Sequence, residues 1–355
     1  MNDTPTPAPR RIVTAVAPIR ICDVGGWTDT WFARHGHVLN MAVSPFVEAR
    51  VEVFPCAPGV PRVVIHAGGP DRRDAPAPPP AAPGTHPLIE AAIESMPRPD
   101  AVSIVVRVLS TVPPAAGTGT SAAVTVAVIA ALDLLTPGRL APDAIARAAH
   151  DVEVRQLGQQ SGVQDQLASA LGGISFIDIV DYPRAVVSRL EMADDRWEEL
   201  ERRLSLVFLG RSHDSSALHD RVIRRLAGSG PDGRELDDLR RCALRARQAL
   251  ERGDLAGLGG AMIDNTDAQA RLHADLVGAD AREVIAIARA HGALGWKVNG
   301  AGGDGGSMTL LAGPSLSGRR AMVAAIEAAN PLFRDIPIRL SRSGVRRWES
   351  EIPPG

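Results

Sequence analysis

The sequence predicts an α+β protein of two domains, and three observations lead there. The chain has 355 residues, more than one hydrophobic core ordinarily absorbs. Its second half is read as strand, helix, strand, strand, helix, strand around helical segments, an order that suggests an α+β layer with helices on one face. The domain boundary is placed near Tyr182 to Leu204, which divides the chain into residues 1–190 and 191–355.

Composition narrows the function classes. Hydrophobic residues make up 45% and charged residues 23%, as in ordinary soluble globular proteins. The formal net charge of -2 supplies no global basic field, so nucleic acid is not an expected partner. Cys22, Cys56 and Cys242 are scattered, without metal-ligand spacing or a disulfide framework, which fits a reducing cytoplasm. Residues Met1 to Arg11 lack an apolar core, so no signal peptide is expected. The longest apolar run, Ala122 to Leu135, is too short for a membrane span and carries Thr125 and Asp133. Lys297 is the single lysine, so any other catalytic cation must be an arginine.

Ile12 to Val16, Val47 to Phe54 and Arg62 to His66 are rich in Val and Ile and read as strands. Gly68 to Pro87 is dense in Pro, Ala, Gly and Asp and reads as a surface loop. A short helix over Pro87 to Ser95 and a β-branched strand over Ala101 to Leu109 follow. A long apolar helix then runs to about Leu135, and a second spans Ala141 to Leu157. After a break at Gly158 to Gly162, Val163 to Leu171 is helical and Ile174 to Ile179 a strand. The second half opens with a strand at Leu204 to Leu209. Helices follow, broken near Gly228 to Gly233 and near Gly253 to Gly260. Ala281 to His291 is helical. The apolar runs Ala293 to Val298 and Ser307 to Leu311 flank Gly300 to Gly306. A helix over Gly318 to Ala329 and a strand over Pro337 to Leu340 close the chain.

Between the strand ending at Leu109 and the long helix lies Pro113, Pro114, Ala115, Ala116, Gly117, Thr118, Gly119, Thr120, Ser121, Ala122, Ala123. Gly117 and Gly119 let a backbone approach an anion closely. The helix that follows offers unpaired N–H groups and a positive dipole end, and Thr120 and Ser121 add hydroxyls for phosphate or magnesium. A simply capped, buried helix would begin in the same way. No lysine is present, which excludes a Walker A loop. The loose GxGxxA match is weakened as a dinucleotide fingerprint by Pro113 and Pro114, which separate strand from glycine.

Three further segments carry chemistry. Arg20, Asp23, Gly25, Gly26, Trp27, Thr28 and Asp29 cluster near the N-terminus; Arg20 suits a developing negative charge and Asp29 the hydroxyls of a sugar. A strand ending in a Gly-Gly turn accounts for the same residues. Glu153 precedes the Gly158 break, and Gln164, Asp165 and Gln166 open the helix after it. An acid there is often a solvated cap, but phosphoryl transfer needs one carboxylate for Mg²⁺ and one to accept the proton of the attacking hydroxyl. Lys297 to Gly306 holds so many glycines that backbone contact with a ligand is the simplest reason for them, a flexible hairpin being the other.

In their order along the chain, Ala17 to Asp29, Pro113 to Ala123 and Lys297 to Gly306 resemble the three motifs of the GHMP kinases. Gly25-Gly26-Trp27-Thr28-Asp29-Thr30 is similar to a fucokinase segment. Gly162-Val163-Gln164-Asp165-Gln166 with Gly172-Gly173, and Leu209 to Ser216, are similar to heptose-7-phosphate 1-kinases. The resemblance implies an N-terminal domain of the ribosomal-protein S5 domain 2 type, a ferredoxin-like C-terminal domain and ATP in the cleft between them. It implies a sugar kinase acting on an anomeric hydroxyl, with heptose 7-phosphate the first candidate acceptor and a neutral, fucose-like sugar the second. A sugar- or nucleotide-binding regulator on a kinase scaffold is the reading from another class. The roles implied are Asp165 as base and Arg20 as its neighbouring cation. Ser121 and Glu153 hold Mg²⁺, and Pro114 to Ser121 wrap the ATP phosphates. Gly25, Gly26, Trp27, Thr28, Asp29, Gln164, Gly302, Gly303 and Asp304 line the sugar. A homodimer stays open. Four positions depart from the pattern. Thr118 and Thr120 replace Leu and Ser, Val163 replaces a lysine of the heptose kinases, and Asp304 stands where a further glycine is usual. The last puts an acid where it would repel a phosphorylated acceptor.

Overall fold

A computed structural model describes residues 9–68, 82, 84–99, 101–136, 139–211, 215–226 and 230–350. The expected loop from Gly68 to Pro87 lies largely outside the described residues, as do residues 212–214 of the segment beginning at Leu209.

The first sheet is built from β1 (Arg11–Val24), β2 (Gly36–Pro55), β3 (Val63–Gly68), β4 (Val102–Leu109), β5 (Ile174–Asp181) and β6 (Arg184–Arg189), completed by β11 (Arg346–Ser350) from the far end of the chain. Its order is β11-β1-β2-β4-β3, with β5 paired to β2 and β6 to β5. All pairs are antiparallel except β3 with β4. β2 is long enough to serve two partners along the edge opposite β1. Gly36 to Met41 pair with β5, and Glu48 to Pro55 pair with β4. In its second half Val47, Ala49, Val51 and Val53 are buried in alternation, the mark of a sheet with one covered face.

α1 (Pro87–Glu94), α2 (Thr120–Asp133), α3 (Pro142–Asp151) and α4 (Gln164–Leu171) share one apolar core with β1, β2 and β4. The sequence of α2 is apolar all round because nearly all of it is buried. Its one acid, Asp133, accepts from Arg347 Nη1 at 2.5 Å and from the Leu140 N–H at 2.9 Å.

The second sheet, β7 (Leu204–Phe208), β8 (Gly295–Val298), β9 (Ser307–Leu311) and β10 (Arg334–Ile336), runs β10-β7-β9-β8 and is antiparallel throughout. α5 (Asp194–Arg203), α6 (Ser215–Leu226), α7 (Arg234–Arg252), α8 (Leu255–Leu272), α9 (Ala279–Ala290) and α10 (Leu316–Ala329) complete the α+β architecture. Val284, Met322, Ile326 and Phe333 pack with Val207, Trp296 and Met308 of this sheet. From α7, Arg247 reaches back over the Phe176 ring of β5 at 4.8 Å.

Four local expectations change. The helix expected from Ala141 to Leu157 is α3 followed by a π-helical turn, Val152–Gln156. The break expected over Gly253 to Gly260 shrinks to Gly253 and Asp254. α8 continues through Gly257, Gly259 and Gly260 because Gly259 lies against the Leu294 carbonyl, where a Cβ would stand 2.2 Å from the oxygen. Pro337 to Leu340 is not the last strand. Proline has no N–H for the ladder, so β10 stops at Ile336, and Leu340 makes a single bridge to Val43. The closing strand is β11, which pairs with β1, so the first sheet draws on both sides of the division at residue 190.

Candidate active site

Arg20 lies on β1 between two shifts of register against β2, at Pro18/Ile19 and Ile21/Val24. Such irregularities re-aim side chains beside functional sites. Its guanidinium, 3% exposed, grips Asp165 at the start of α4 in two places: Nε donates to Oδ1 at 2.7 Å and Nη2 to Oδ2 at 3.1 Å. Nη1 donates to the Gly117 carbonyl, and the Arg20 N–H donates to the Thr118 carbonyl at 3.0 Å. Burial alone would lower the guanidinium pKa, but Asp165, Asp23 and Asp29 together hold it above its ordinary value.

The phosphate segment wraps directly over this pair. Gly119, at φ 68°, begins α2 without a side-chain cap, which leaves the first-turn N–H groups open toward a ligand. A Cβ on Gly119 would sit 3.2 Å from Asp165 Cγ and 3.3 Å from Arg20 Cγ. Across the segment, a Cβ on Gly117 would sit 2.8 Å from the Asn299 carbonyl, so the late glycine loop touches it from the side of the second sheet. A cavity of about 300 Å³ opens here, lined by Ala115 to Ser121, Arg20, Asp23, Trp27, Asp29, Thr30, Glu153, Gln159 to Gly162, Gln164, Asp165, Gly300 and Ala301.

Besides Asp23, two carboxylates line the cavity from buried positions. Asp29 is 2% exposed; its Oδ2 accepts from the Gln164 N–H at 3.2 Å and its Oδ1 from Gln164 Nε2 at 3.5 Å. Burial, aided by the charge of Asp165, lifts its pKa to about 6 against the pull of the Gln164 N–H and Arg20. Glu153 stands on the π-helical turn, and burial lifts it to about 7. Its Oε2 accepts from the Ser161 hydroxyl at 2.8 Å, while Oε1 is buried with no hydrogen-bond partner among the described residues. Tyr182 holds the Ser161 loop: its hydroxyl donates to the Ser161 carbonyl at 2.9 Å and lies 2.8 Å from His150 Nε2.

Of the residues singled out in the sequence, the cavity gathers Arg20, Trp27, Asp29, Ala115 to Ser121, Glu153, Gln164 and Asp165. Gly26 lies beside it, where a Cβ would meet Asp23 Oδ2 at 2.7 Å. Pro114, Gly25, Thr28, Gly302, Gly303 and Asp304 are not among its walls. Thr28 and Gly25 serve the turn: the Thr28 hydroxyl donates to the Gly25 carbonyl at 2.7 Å, and the Gly25 N–H donates to Asn265 Oδ1 at 2.6 Å. Gly302 packs against the Leu276 carbonyl, and Asp304 faces Gly278. The sequence reading gave no site role to Asp23, Gln160 or Ser161. Asp23 stood within the first motif, and only its distant partners reveal what it does.

Comparison with known proteins decides the family. The GHMP kinases N terminal domain matches residues 87–173. A mevalonate kinase from Pyrococcus horikoshii is 30% identical over 277 residues, covering 73% of this chain and 72% of that protein. The chain belongs to the GHMP kinases. It is thus an ATP-dependent kinase, and the cavity lies where its phosphate segment meets Arg20 and Asp165. A D-glycero-alpha-D-manno-heptose 7-phosphate kinase from Campylobacter jejuni is 25% identical over 240 residues, 67% of this chain and 69% of that one. The GHMP fold recurs in a D-glycero-D-manno-heptose 1-phosphate kinase structure from Bacteroides thetaiotaomicron. That match has a TM-score of 0.69 and 21% identity, and covers 95% of this chain and 98% of the other. Among the described residues no helix is long and apolar enough to cross a membrane.

Proposed function

We propose that this GHMP kinase phosphorylates the anomeric hydroxyl of a sugar or sugar phosphate, with heptose 7-phosphate as the leading acceptor. The observation that carries the reading is the two-point grip of Arg20 on Asp165 beneath the phosphate segment. It fixes the carboxylate's orientation, while 26% exposure of the Asp165 side chain leaves it open to the cavity. Asp165 accepts the proton of the attacking hydroxyl, and the Arg20 charge beside it favours the charge that develops during transfer. Asp29 and Gln164, locked to each other, offer acceptors and a donor to sugar hydroxyls. The likeness to the Campylobacter jejuni heptose 7-phosphate kinase supports the acceptor class.

The unpartnered Oε1 of Glu153 and the Ser121 hydroxyl in the cavity wall suit a hard cation such as Mg²⁺. Bound there, Mg²⁺ would neutralise charge on the ATP phosphates. A second reading, a neutral acceptor, has its own support: among the described residues lining the cavity Arg20 is the sole cation, and it is already engaged.

ADP release from Mg-ATP, measured against free sugars and sugar phosphates including heptose 7-phosphate and fucose, tests both. Turnover with heptose 7-phosphate supports the first reading, and turnover with free sugars alone supports the second. Silence across the panel, with ATP still bound, points to an acceptor outside the panel or to a sugar- or nucleotide-binding regulator.

A further inference from the structure

Lys297 is the only lysine of the chain, in a sequence whose other basic residues are arginines. It is also one of the most buried side chains, 1% exposed on β8. An ammonium has three protons to place, and three acceptors surround this one. Nζ lies 3.4 Å from Asp23 Oδ1 and 3.1 Å from Gln269 Oε1, and donates to the Val298 carbonyl. A planar guanidinium has more donors and more bulk than this pocket serves, a physical reason for lysine here.

The partners of Lys297 close a circuit. Both oxygens of Asp23 accept from the Gly300 N–H at 3.1 Å. Gln269 Nε2 donates to the Gly300 carbonyl at 3.1 Å. Gly300 abuts Gly117, since its Cβ would stand 3.0 Å from the Gly117 carbonyl oxygen, and that oxygen accepts from Arg20. Arg20 Nη1 is 3.9 Å from Asp23 Oδ1. Two carboxylates, Asp165 and Asp23, thus flank a single guanidinium, and one of them has a second cation.

We infer that Lys297 and Asp23 are a positioning pair: Lys297 satisfies Asp23 so that Arg20 stays committed to Asp165. The inference rests on the reading of Asp165 and Arg20 given under the proposed function. Without the ammonium, Asp23 would compete for Arg20 as a buried carboxylate short of a counter-charge. Without the Asp23 carboxylate, Lys297 would stand as an uncompensated cation next to Arg20. Removing both leaves Arg20 a single anionic partner at the centre of the circuit.

The test is a two-by-two set: wild type, Lys297→Met, Asp23→Asn and the double variant. For each, kcat, KM for ATP and acceptor, and the affinity for a non-hydrolysable ATP analogue are measured. Each single variant is expected to lose about tenfold or more in kcat, the scale set by a small misplacement of a catalytic group. ATP affinity should stay within about threefold, and the double variant should recover most of the lost kcat. If one single variant fails to fold, the other against the double makes the same comparison. A double variant as slow as the singles, or losses in kcat matched by losses in ATP affinity, overturns the inference. Asp165→Asn, measured alongside in otherwise wild-type protein, reports separately on the underlying reading: if it stays active, the reading of Asp165 fails, whatever the pair does.

Discussion

The Ser161 hydroxyl bonds one oxygen of Glu153 and leaves the other, Oε1, buried and without a hydrogen-bond partner among the described residues. Burial disfavours the charged carboxylate and the nearby Asp165 charge adds to this, which lifts Glu153 to about 7 against the pull of the Ser161 hydrogen bond. The arrangement disfavours the ionised, empty site and leaves room for a cation to supply what Oε1 lacks.

Glu153 therefore makes stability depend on pH. Its pKa rises from 4.5 to about 7 on folding, so in that window the native state holds a proton that the unfolded state has released. Asp29, raised from 3.8 to about 6, acts in the same direction. Stability of the magnesium-free protein falls as pH rises through the window, by roughly 3 kcal/mol for Glu153 if its shift is fully expressed. Thermal unfolding across this range measures it. Glu153→Gln should flatten the curve, and an equal slope in that variant would show that Glu153 is not the source.

Asp165→Asn keeps the shape of the side chain and removes its capacity to take a proton. It should lower kcat by about a thousandfold while ATP affinity survives, a loss within the range for a positioned acid–base group. Steady-state kinetics paired with calorimetric titration of nucleotide gives both numbers.

Gly119 and Gly158 both have positive φ, 68° and 66°, yet differ in surroundings. A methyl group on Gly158 meets open space, so Gly158→Ala should cost only the left-handed backbone strain, about 1–2 kcal/mol. On Gly119 the same methyl presses on Asp165 and Arg20. Gly119→Ala should therefore lose turnover as well as stability, and equal kinetics in the two variants would refute this view of the phosphate segment.

α8 supplies a contrast between neighbours. Gly260→Ala meets nothing within 4 Å and gains helix propensity, so it should stabilise by about 0.5–1 kcal/mol. Gly259→Ala gains the same propensity but drives a methyl into the Leu294 backbone, so it should destabilise by about 1–3 kcal/mol. Denaturant unfolding of the two variants reads the opposite signs.

What the sequence could reveal depended on how local each signal was. The phosphate segment was legible because its glycines, hydroxyls and helix start are contiguous. Arg20 and Asp165 were each visible as motif residues, but their pairing spans 145 positions and only folding brings it about. Asp23 was passed over because its partners, Lys297 and Gly300, lie more than 270 residues further along the chain. The glycines of α8 read as a break because intrinsic propensity disfavours them in helices, whereas packing against β8 demands one of them. β11 was missed because Arg346 to Ser350 carries no clear alternation, and its place beside β1 is set by a partner more than three hundred residues earlier.

That last pairing orders events during synthesis. β1, which carries Arg20, leaves the ribosome more than three hundred residues before the strand that flanks it. At about 5–20 residues per second the outer edge of β1 waits on the order of tens of seconds for its neighbour. Until then an unpaired strand edge stands open beside the nascent nucleotide site, a place for a chaperone to shield or for another chain to add itself.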